Sequence, residues 1–308
     1  MKSLIMFAVT SVIVQACAYS SHAVRAADLG KPIRAAEMEA QLDLPGPVTV
    51  DTIVAADWVV SLAGLVNLDH PKAKAAGLVD REEPIQIYMF ALRHPTRGLW
   101  LVDTGIAKEL RDHPSDVGVG WLVARAAHLD KLTVRNALGP WLARQGVPLA
   151  GVLLTHLHID HISGVPDVPR GTPIYAGPNE TKVRSAQNLV LSGSIDGLLE
   201  GQAPLSQWQF AADADGKFAG IIDVFGDGTV FAVHVPGHTA GSTVYLVRTA
   251  EGPVLLTGDT CHTRWGWENG VEPGDYTDDR PANALQLSKL KELVARHPRM
   301  MVRLGHQP

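Results

Sequence analysis

A run of six residues near the middle of the chain carries four side chains that can bind a metal ion: His156, His158, Asp160 and His161. It directly follows residues 149–154, a short apolar run typical of a buried β-strand. Because side chains alternate with a period of two in an extended backbone, His156 and His158 point the same way and can hold one ion together. A turn can then direct Asp160 and His161 towards a second ion. Imidazole and carboxylate ligands suit zinc, with iron, manganese and cobalt as alternatives.

For any single one of these histidines, the alternative is an exposed residue in a polar loop. Four ligand-type residues in one run of six, directly after an apolar strand, argue against that interpretation. Three further candidates follow predicted strands in the second half of the chain. His238 follows the strand predicted at 230–235, and Asp259 follows the one at 254–257. His306 follows the short strand predicted at 300–304. Their shared placement at strand ends predicts that all seven side chains converge.

Strands and helices are predicted in alternating clusters. The residue pattern predicts further strands at 48–54, 58–65, 85–92, 99–102 and 242–248, with a hairpin turn at 95–98. Apolar residues at helical spacing predict helices at 117–128, 134–145 and 281–297, the last capped by Asp278 or Asp279. Two similar β-rich halves that face each other, with helices outside, form a four-layer αββα sandwich of the α/β class. Since no linker rich in Gly, Ser or Pro divides the chain, residues 27–308 are predicted to form one domain.

The motifs H-x-H-x-D-H, G-H-T-x-G-S, G-D and a late G-H resemble the metallo-β-lactamase-fold superfamily in order and spacing, from about Ile85 to His306. The resemblance implies that fold and a two-metal site. It assigns His156, His158 and His238 to the first ion, Asp160, His161 and His306 to the second, and Asp259 to a bridging position. Asp103, in Val102-Asp103-Thr104-Gly105, resembles the family's structural aspartate, which braces the metal loop.

The chemistry implied by two such ions is hydrolysis. Two divalent ions about 3.5–4 Å apart can share a water and lower its pKa towards neutrality, which gives a bridging hydroxide as the nucleophile. One ion would polarise the carbonyl oxygen of a cyclic ester or amide, and the other would take the leaving oxygen. We therefore expect a metal-dependent hydrolase with two divalent cofactor ions, zinc first among them, and a small-molecule substrate. Asp160 and His262 are the residues predicted to take part in catalysis, and Cys261 is predicted to be an ordinary thiol.

Within the superfamily the chain most resembles the N-acyl homoserine lactonases, in its seven ligands, the order of its motifs and the short C-terminal segment that carries the last histidine. True β-lactamases usually have Cys or Ser in place of Asp259, and flavo-diiron proteins usually have Glu in place of His158. The lactonases usually place a tyrosine where this chain has His262, which could still donate a hydrogen bond or a proton. Trp265 and Trp267 could wall an apolar acyl pocket or belong to the core.

Three alternatives stay open at this point. A persulfide-dioxygenase-like oxidoreductase would hold a single iron with His156, His238 and Asp259. A β-lactam or aryl-ester hydrolase would share the fold and both ions. A metal-binding protein without activity would retain metal but turn over no ester, lactone or lactam. Metal content and a panel of substrates distinguish these classes.

The first residues have the layout of a secretory signal peptide: Lys2, an apolar run from Leu4 to about Ala18, and small residues ending at Ala26 and Ala27. The apolar run is too short and too interrupted to span a membrane. Residues 1–26 are therefore predicted to be a signal peptide, and the mature protein is predicted to be periplasmic or secreted, without a membrane span. A lipoprotein anchored through Cys17 is the less favoured alternative.

The charge and the cysteines limit the partners of the mature protein. The formal net charge is −5 at pH 7, and loss of Lys2 and Arg25 with the leader would take it to −7. An acidic chain without a basic run argues against a nucleic-acid partner. The sequence contains only Cys17 and Cys261, so the mature chain cannot form an internal disulfide. Its stability in an oxidising compartment must come from its core and bound metal. A homodimer is left open.

Overall fold

Two β-sheets pack face to face in the computed structural model, which describes residues 20–182 and 186–308. The strands are β1 (Val24–Ala26), β2 (Lys31–Ile33), β3 (Thr49–Ser61), β4 (Glu82–His94), β5 (Gly98–Val102), β6 (Thr133–Val134), β7 (Leu149–Leu153), β8 (Ile174–Ala176), β9 (Leu205–Gln207), β10 (Gly220–Asp223), β11 (Val230–His234), β12 (Thr243–Arg248), β13 (Pro253–Leu256) and β14 (Met301–Arg303). The α-helices are α1 (Ala35–Leu42), α2 (Leu62–Leu65), α3 (Pro71–Ala75), α4 (Trp121–Ala126), α5 (Leu138–Ala143), α6 (Ile159–Ile162), α7 (Ala186–Leu198), α8 (Arg264–Asn269) and α9 (Arg280–Arg296).

The order of the strands brings distant parts of the sequence to the same sheet edge. One sheet runs β1-β9-β8-β7-β5-β4-β3-β6 and the other β14-β13-β12-β11-β10-β2. β5 and β7 are parallel neighbours in the first sheet. β13 and β14 are parallel neighbours in the second. Parallel strands end at the same edge, so the segments after β5 and β7 lie together, as do those after β13 and β14. These four segments carry Asp103, the six-residue motif, Asp259 and His306.

The strands alternate between two packing surfaces, as a period of two requires. In β4, Tyr88 and Phe90 point into the layer between the sheets, whereas Ile87 and Met89 point outwards. Tyr245 of β12 meets them from the second sheet. The outer face of the first sheet is covered by α4, α5 and α7, and that of the second by α1 and α9. The predicted four-layer αββα sandwich is therefore confirmed.

The hairpin and the C-terminal helix form as predicted. β4 and β5 pair in antiparallel register, with Phe90 opposite Val102. α9 is capped by Asp279, whose carboxylate accepts a hydrogen bond from the amide of Ala282 at 2.9 Å. Both features are local in sequence, so the residue pattern is sufficient to predict them.

Three predicted boundaries are wrong because long-range contacts override local pattern. The strand predicted at 58–65 ends at Ser61, where the carboxylate of Asp80 accepts hydrogen bonds from the Ser61 hydroxyl and the Ala63 amide and starts α2. The helix predicted at 117–128 covers only α4, after a 3-10 turn at 114–117 that ends at Gly118. The helix predicted at 134–145 starts at Leu138, because Val134 pairs with β3 at the sheet edge.

Residues 1–19 of the predicted signal peptide lie outside the described residues, whereas residues 20–26 lie inside them. Each helix within residues 20–182 and 186–308 is too short or too polar to span a lipid bilayer.

Candidate metal centre

The six-residue motif lies at the end of β7 and continues into α6. His156 and His158 occupy the extended segment after the strand, and His158 is the residue before the first turn of α6. Asp160 and His161 lie within that turn. The chain therefore changes from extended to helical inside the motif, which is the turn expected between the two ligand pairs.

The structure brings all seven predicted ligand residues together in two groups that share one member. His156, His158, His238 and Asp259 form the first group, and Asp160, His161, Asp259 and His306 form the second; within each group the ligand atoms lie within 4.8 Å of one another. Asp259 belongs to both groups, so its single carboxylate lies close to the ligand atoms of each, as that of a bridging ligand would.

A glycine permits the close approach of the last two ligand segments. Gly305 precedes His306, and a Cβ at this position would lie 2.3 Å from Oδ1 of Asp259. No residue with a side chain could bring the segment after β14 so close to the one after β13. The G-H pair in the sequence therefore reflects a packing requirement at the site.

The outer nitrogen of four site histidines is engaged by the surrounding protein. Nδ1 of His306 lies 2.9 Å from the carbonyl oxygen of Gln86, and Nδ1 of His161 lies 2.7 Å from Oδ2 of Asp103. The Thr155 hydroxyl lies 3.0 Å from Nδ1 of His156, and the Thr277 hydroxyl lies 3.2 Å from Nδ1 of His238. A carbonyl or carboxylate can only accept, so it fixes the proton on Nδ1 and leaves Nε2 free to bind a cation.

The inner nitrogens face one another at distances that fit an intervening cation. Nε2 of His238 lies 3.2 Å from Nε2 of His156 and 2.9 Å from Nδ1 of His158. Nε2 of His161 and Oδ1 of Asp259 are buried 3.3 Å apart, and neither has a hydrogen-bond partner among the described residues. Buried polar atoms without a partner are rare and costly. Inward lone pairs from imidazoles and carboxylates are the donor set that a divalent transition metal requires, so these residues fit such an ion.

Burial keeps the histidines of the first group neutral. It lowers the pKa of His156 and of His238 well below the usual value, with a further contribution from the neighbouring imidazoles. Burial also lowers the pKa of His158 to about 4. A metal ligand must be unprotonated, so these three side chains are in the required form at neutral pH.

The carboxylates of the site are ionised in spite of their burial. Burial alone would raise the pKa of Asp259, but the neighbouring histidines, His262 foremost, hold it well below its usual range. Burial would lower the pKa of His306, but Asp259 and Asp160 raise it to about 10. Without a metal, the imidazolium of His306 therefore offsets the charge of the carboxylates at neutral pH, and a bound cation would take the place of its proton.

Asp103 braces the motif, as the resemblance implied. Its carboxylate accepts hydrogen bonds from the amide of Thr155 at 2.8 Å and from Nδ1 of His161 at 2.7 Å. Its backbone lies in the left-handed region at φ 55°, an uncommon conformation for a residue other than glycine. Strain of this kind persists where surrounding contacts enforce it, here at the end of β5 beside the ligand loop.

Glu180 is a further site residue that sequence reasoning missed. Its buried carboxylate accepts hydrogen bonds from the amide of Leu157 at 2.8 Å, the amide of Gly241 at 2.7 Å and the hydroxyl of Thr239. Leu157 lies between two ligands and Thr239 follows His238, so one side chain joins the two loops of the first group. Burial raises the pKa of Glu180 to about 7. No local motif marks this residue, and only the packing of the two loops reveals it.

His262 lies against the shared carboxylate, whereas the neighbouring tryptophans pack in apolar clusters. Nε2 of His262 is 3.0 Å from Oδ2 of Asp259, and Nδ1 is 3.2 Å from the carbonyl oxygen of Leu65. Trp265 packs with the cluster that contains Leu65, and Trp267 packs against α9. Both tryptophans are partly buried and pack against apolar core clusters.

Cys261 is buried, and its Sγ lies 3.4 Å from the carbonyl oxygen of Thr263. Burial raises the pKa of its thiol to about 12. The side chain is therefore protonated at neutral pH, as expected of an ordinary thiol rather than a nucleophile.

The fold and the ligand set define the class of protein. The family model of the metallo-beta-lactamase superfamily matches residues 83–306, so the chain belongs to that superfamily. The chain is 29% identical over 231 residues to the N-acyl homoserine lactonase AttM of Azorhizobium caulinodans. The alignment covers 73% of this chain and 82% of the relative. The chain is also 29% identical over 229 residues to AttM of Agrobacterium fabrum, with the same coverage.

Solved structures show the same architecture. A quorum-quenching N-acyl homoserine lactone lactonase aligns with a TM-score of 0.59 at 18% identity and covers 86% of this chain and 94% of its own. The dizinc quorum-quenching lactonase AidC, in complex with a product, aligns with a TM-score of 0.56 at 14% identity. The alignment covers 91% of this chain and 90% of the AidC chain. The family and fold predicted from the sequence, and the resemblance to the lactonases, are confirmed.

Proposed function

We propose that this protein is an exported metal-dependent hydrolase that opens the ring of a lactone, of the N-acyl homoserine lactone class, with two zinc ions. The observation that carries the proposal is the convergence of seven ligand side chains into two groups that share Asp259. The curated relatives, both named as N-acyl homoserine lactonases, support the choice of a lactone over other substrates of this superfamily.

The reaction adds one water across the ester bond of the ring and yields a hydroxy acid. When bound, the two ions would lower the pKa of a shared water towards neutrality and polarise the lactone carbonyl. His156, His158 and His238 would hold one ion, Asp160, His161 and His306 the other, and Asp259 both. Asp103 and Glu180 keep these ligands in place through the hydrogen bonds described above.

The substrate approaches from the side of His158 and Asp160, because these are the ligands that are partly exposed while the others are buried. The side chain of Asp160 is 18% exposed, and its Oδ2 lies 3.2 Å from Nε2 of His306. From this position Asp160 can hold a proton lost by the water and return it to the leaving oxygen of the ring. In its ionised form, the carboxylate can accept this proton.

The hydrogen bonds of His262 determine the role it can play. Its Nδ1 donates to the carbonyl oxygen of Leu65, so Nε2 of the neutral imidazole carries a lone pair. His262 therefore accepts a hydrogen bond or a proton at Nε2 in the neutral form, and it can donate from Nε2 only as an imidazolium. This nitrogen lies 3.0 Å from Oδ2 of Asp259. A tyrosine at this position, as in the resembling lactonases, donates in its neutral form. We therefore assign His262 to proton transfer at the site.

The test is a substrate panel with a measurement of bound metal. Purified protein is assayed on acyl homoserine lactones of several chain lengths, an aryl ester, a cephalosporin and a phosphodiester, with and without a chelator. We expect opening of the lactones that stops on metal removal and returns with zinc. His158→Ala and Asp259→Asn should abolish it, while His113→Ala, at an exposed histidine outside both groups, should leave it unchanged. Full activity of the Asp259→Asn variant would overturn the proposal.

The same preparation tests the mono-iron oxidoreductase. That alternative uses only His156, His238 and Asp259 as iron ligands. It does not explain why Asp160, His161 and His306 also converge with Asp259 into a second ligand group. One iron per chain and no lactone opening would support it. Hydrolysis of the cephalosporin or the aryl ester in preference to every lactone would instead support a related hydrolase of the same fold.

A further inference from the structure

Residues 24–26 form β1, the outermost strand of the eight-stranded sheet. β1 pairs in parallel with β9, with Val24 opposite Leu205 and Ala26 opposite Gln207. The amide of Leu205 donates to the carbonyl of Ala23 at 2.9 Å, and the amide of Ala27 donates to the carbonyl of Gln207 at 2.9 Å. β1 is the edge strand of this sheet, so a chain without it would expose the hydrogen-bonding edge of β9.

The residues before β1 are held by a carboxylate on α7. The hydroxyl groups of Ser20 and Ser21 donate to the two oxygens of Asp196 at 2.5 and 2.6 Å, and the amide of Ser21 donates to it at 2.8 Å. Ser20 is only 2% exposed. The ring of His22 contacts the carbonyl oxygen of Ala203 at 3.0 Å. The folded protein therefore uses the chain from Ser20 onwards.

Four positions in the sequence offer the small residues that signal peptidase requires. They are Ala16-Cys17-Ala18, Ala18-Tyr19-Ser20, Ser21-His22-Ala23 and Val24-Arg25-Ala26. Cleavage after Ala26 would remove β1 together with both serines that bind Asp196. Cleavage after Ser20 would remove one of these serines, and cleavage after Ala23 would remove both. Cleavage after Ala18 follows directly on the apolar run and leaves every contact of residues 20–26 in place.

We propose that the leader is cleaved after Ala18, so that the exported protein begins at Tyr19 and retains β1. The proposal rests on export and is independent of the lactonase activity. It moves the leader boundary expected from the sequence from residue 26 to residue 18. The processing site is an Ala-x-Ala bond in front of a folded edge strand rather than a bond inside it.

The first experiment identifies the N-terminus of the exported protein. The full chain is expressed in a Gram-negative host, and the periplasmic and released fractions are examined by intact mass and N-terminal sequencing. We expect Tyr19 as the first residue. Ala18→Leu should block this cleavage, whereas the matched variant Ala26→Leu should not. A start at Ser21, Val24, Ala27 or Asp28, or a lipid-modified Cys17, would overturn the proposed site while leaving export intact. A chain that keeps Met1 in these fractions would overturn cleavage, and a chain found only in the cytoplasm would overturn export as well.

The second experiment asks whether residues 19–26 contribute to the fold. Chains that begin at Tyr19 and at Ala27 are compared by thermal unfolding, and we expect the shorter chain to melt at a temperature lower by roughly 5 °C. Asp196→Asn should lower the melting temperature of the longer chain but have little effect on the shorter one, which lacks the serine partners. Equal melting temperatures of the two chains would contradict the proposal.

Discussion

Replacement of Glu180 by glutamine should weaken metal binding far more than it weakens the fold. The carboxylate accepts hydrogen bonds from Leu157 on one ligand loop and from Thr239 and Gly241 on the other. A glutamine has one acceptor oxygen, so its amide group must face a donor on one of the two loops. That loop loses a buried hydrogen bond to a charged group, and an unsatisfied buried donor costs about 1–3 kcal/mol.

The loss of charge works in the opposite direction on stability. A pKa of about 7 instead of 4.5 corresponds to roughly 3 kcal/mol against the charged form of Glu180 at pH 8. Glutamine removes this penalty, so the two effects nearly cancel and the free energy of unfolding should stay within about 2 kcal/mol of wild type. Metal binding gains nothing from the loss of charge, because the glutamine no longer joins the loop of His156 and His158 to the loop of His238. The ligands are then held less firmly in the positions that bind the ion. Loss of an outer contact of this kind lowers metal affinity about 10- to 100-fold.

The assay is a competition titration of zinc against a chromophoric chelator, alongside urea unfolding. Asp213→Asn is the matched control, because Asp213 is a buried carboxylate that accepts amide hydrogen bonds from Ala35, Lys217 and Phe218, none of them in a ligand loop. It should reduce stability and leave zinc affinity unchanged. Wild-type zinc affinity in Glu180→Gln would refute the reasoning.

Three further predictions concern the second ion, proton transfer and acid stability. Asp103→Asn presents an amide to Nδ1 of His161 and should weaken the affinity for one zinc ion about 10- to 100-fold in the same titration; unchanged affinity would contradict the brace. His262→Ala should lower kcat about 100-fold with both ions retained and should alter the pH profile of kcat/KM, whereas an unaltered profile would exclude proton transfer. Burial alone would raise the pKa of Glu39, but hydrogen bonds from Arg296 and a lysine lower it to about 2. Glu39 should therefore stabilise the fold by about 1 kcal/mol above pH 4.5 relative to Glu39→Gln, since its partners are half exposed, and this advantage should disappear as the pH falls towards 2. Equal unfolding midpoints of the two proteins in urea at pH 7 would contradict it.

The seven ligand residues could be predicted from the sequence because each belongs to a local pattern. His156 to His161 form a compact motif after an apolar strand, and His238, Asp259 and His306 follow strands of their own. The sandwich could be predicted for a similar reason: alternation in β4 and β5 shows two apolar faces, which a sheet buried on both sides requires.

The features that were missed depend on contacts between distant residues. Glu180 stands alone in Asn179-Glu180-Thr181. Its role follows only from the meeting of two loops, one 23 residues before it and the other 59 to 61 residues after it. α7 was not predicted, and Gly193 and Gly197 weaken its helical pattern. β1 was assigned to the leader, because three exposed residues carry no strand pattern without their partner β9.

The most direct test of the central claim is a titration of metal-free protein with zinc while lactone opening is followed. The account predicts that activity reaches its maximum at two zinc ions per chain and that the product is the hydroxy acid formed by addition of one water. Full lactone opening by metal-free protein, or maximal activity with a single ion per chain, would contradict a shared site built around Asp259.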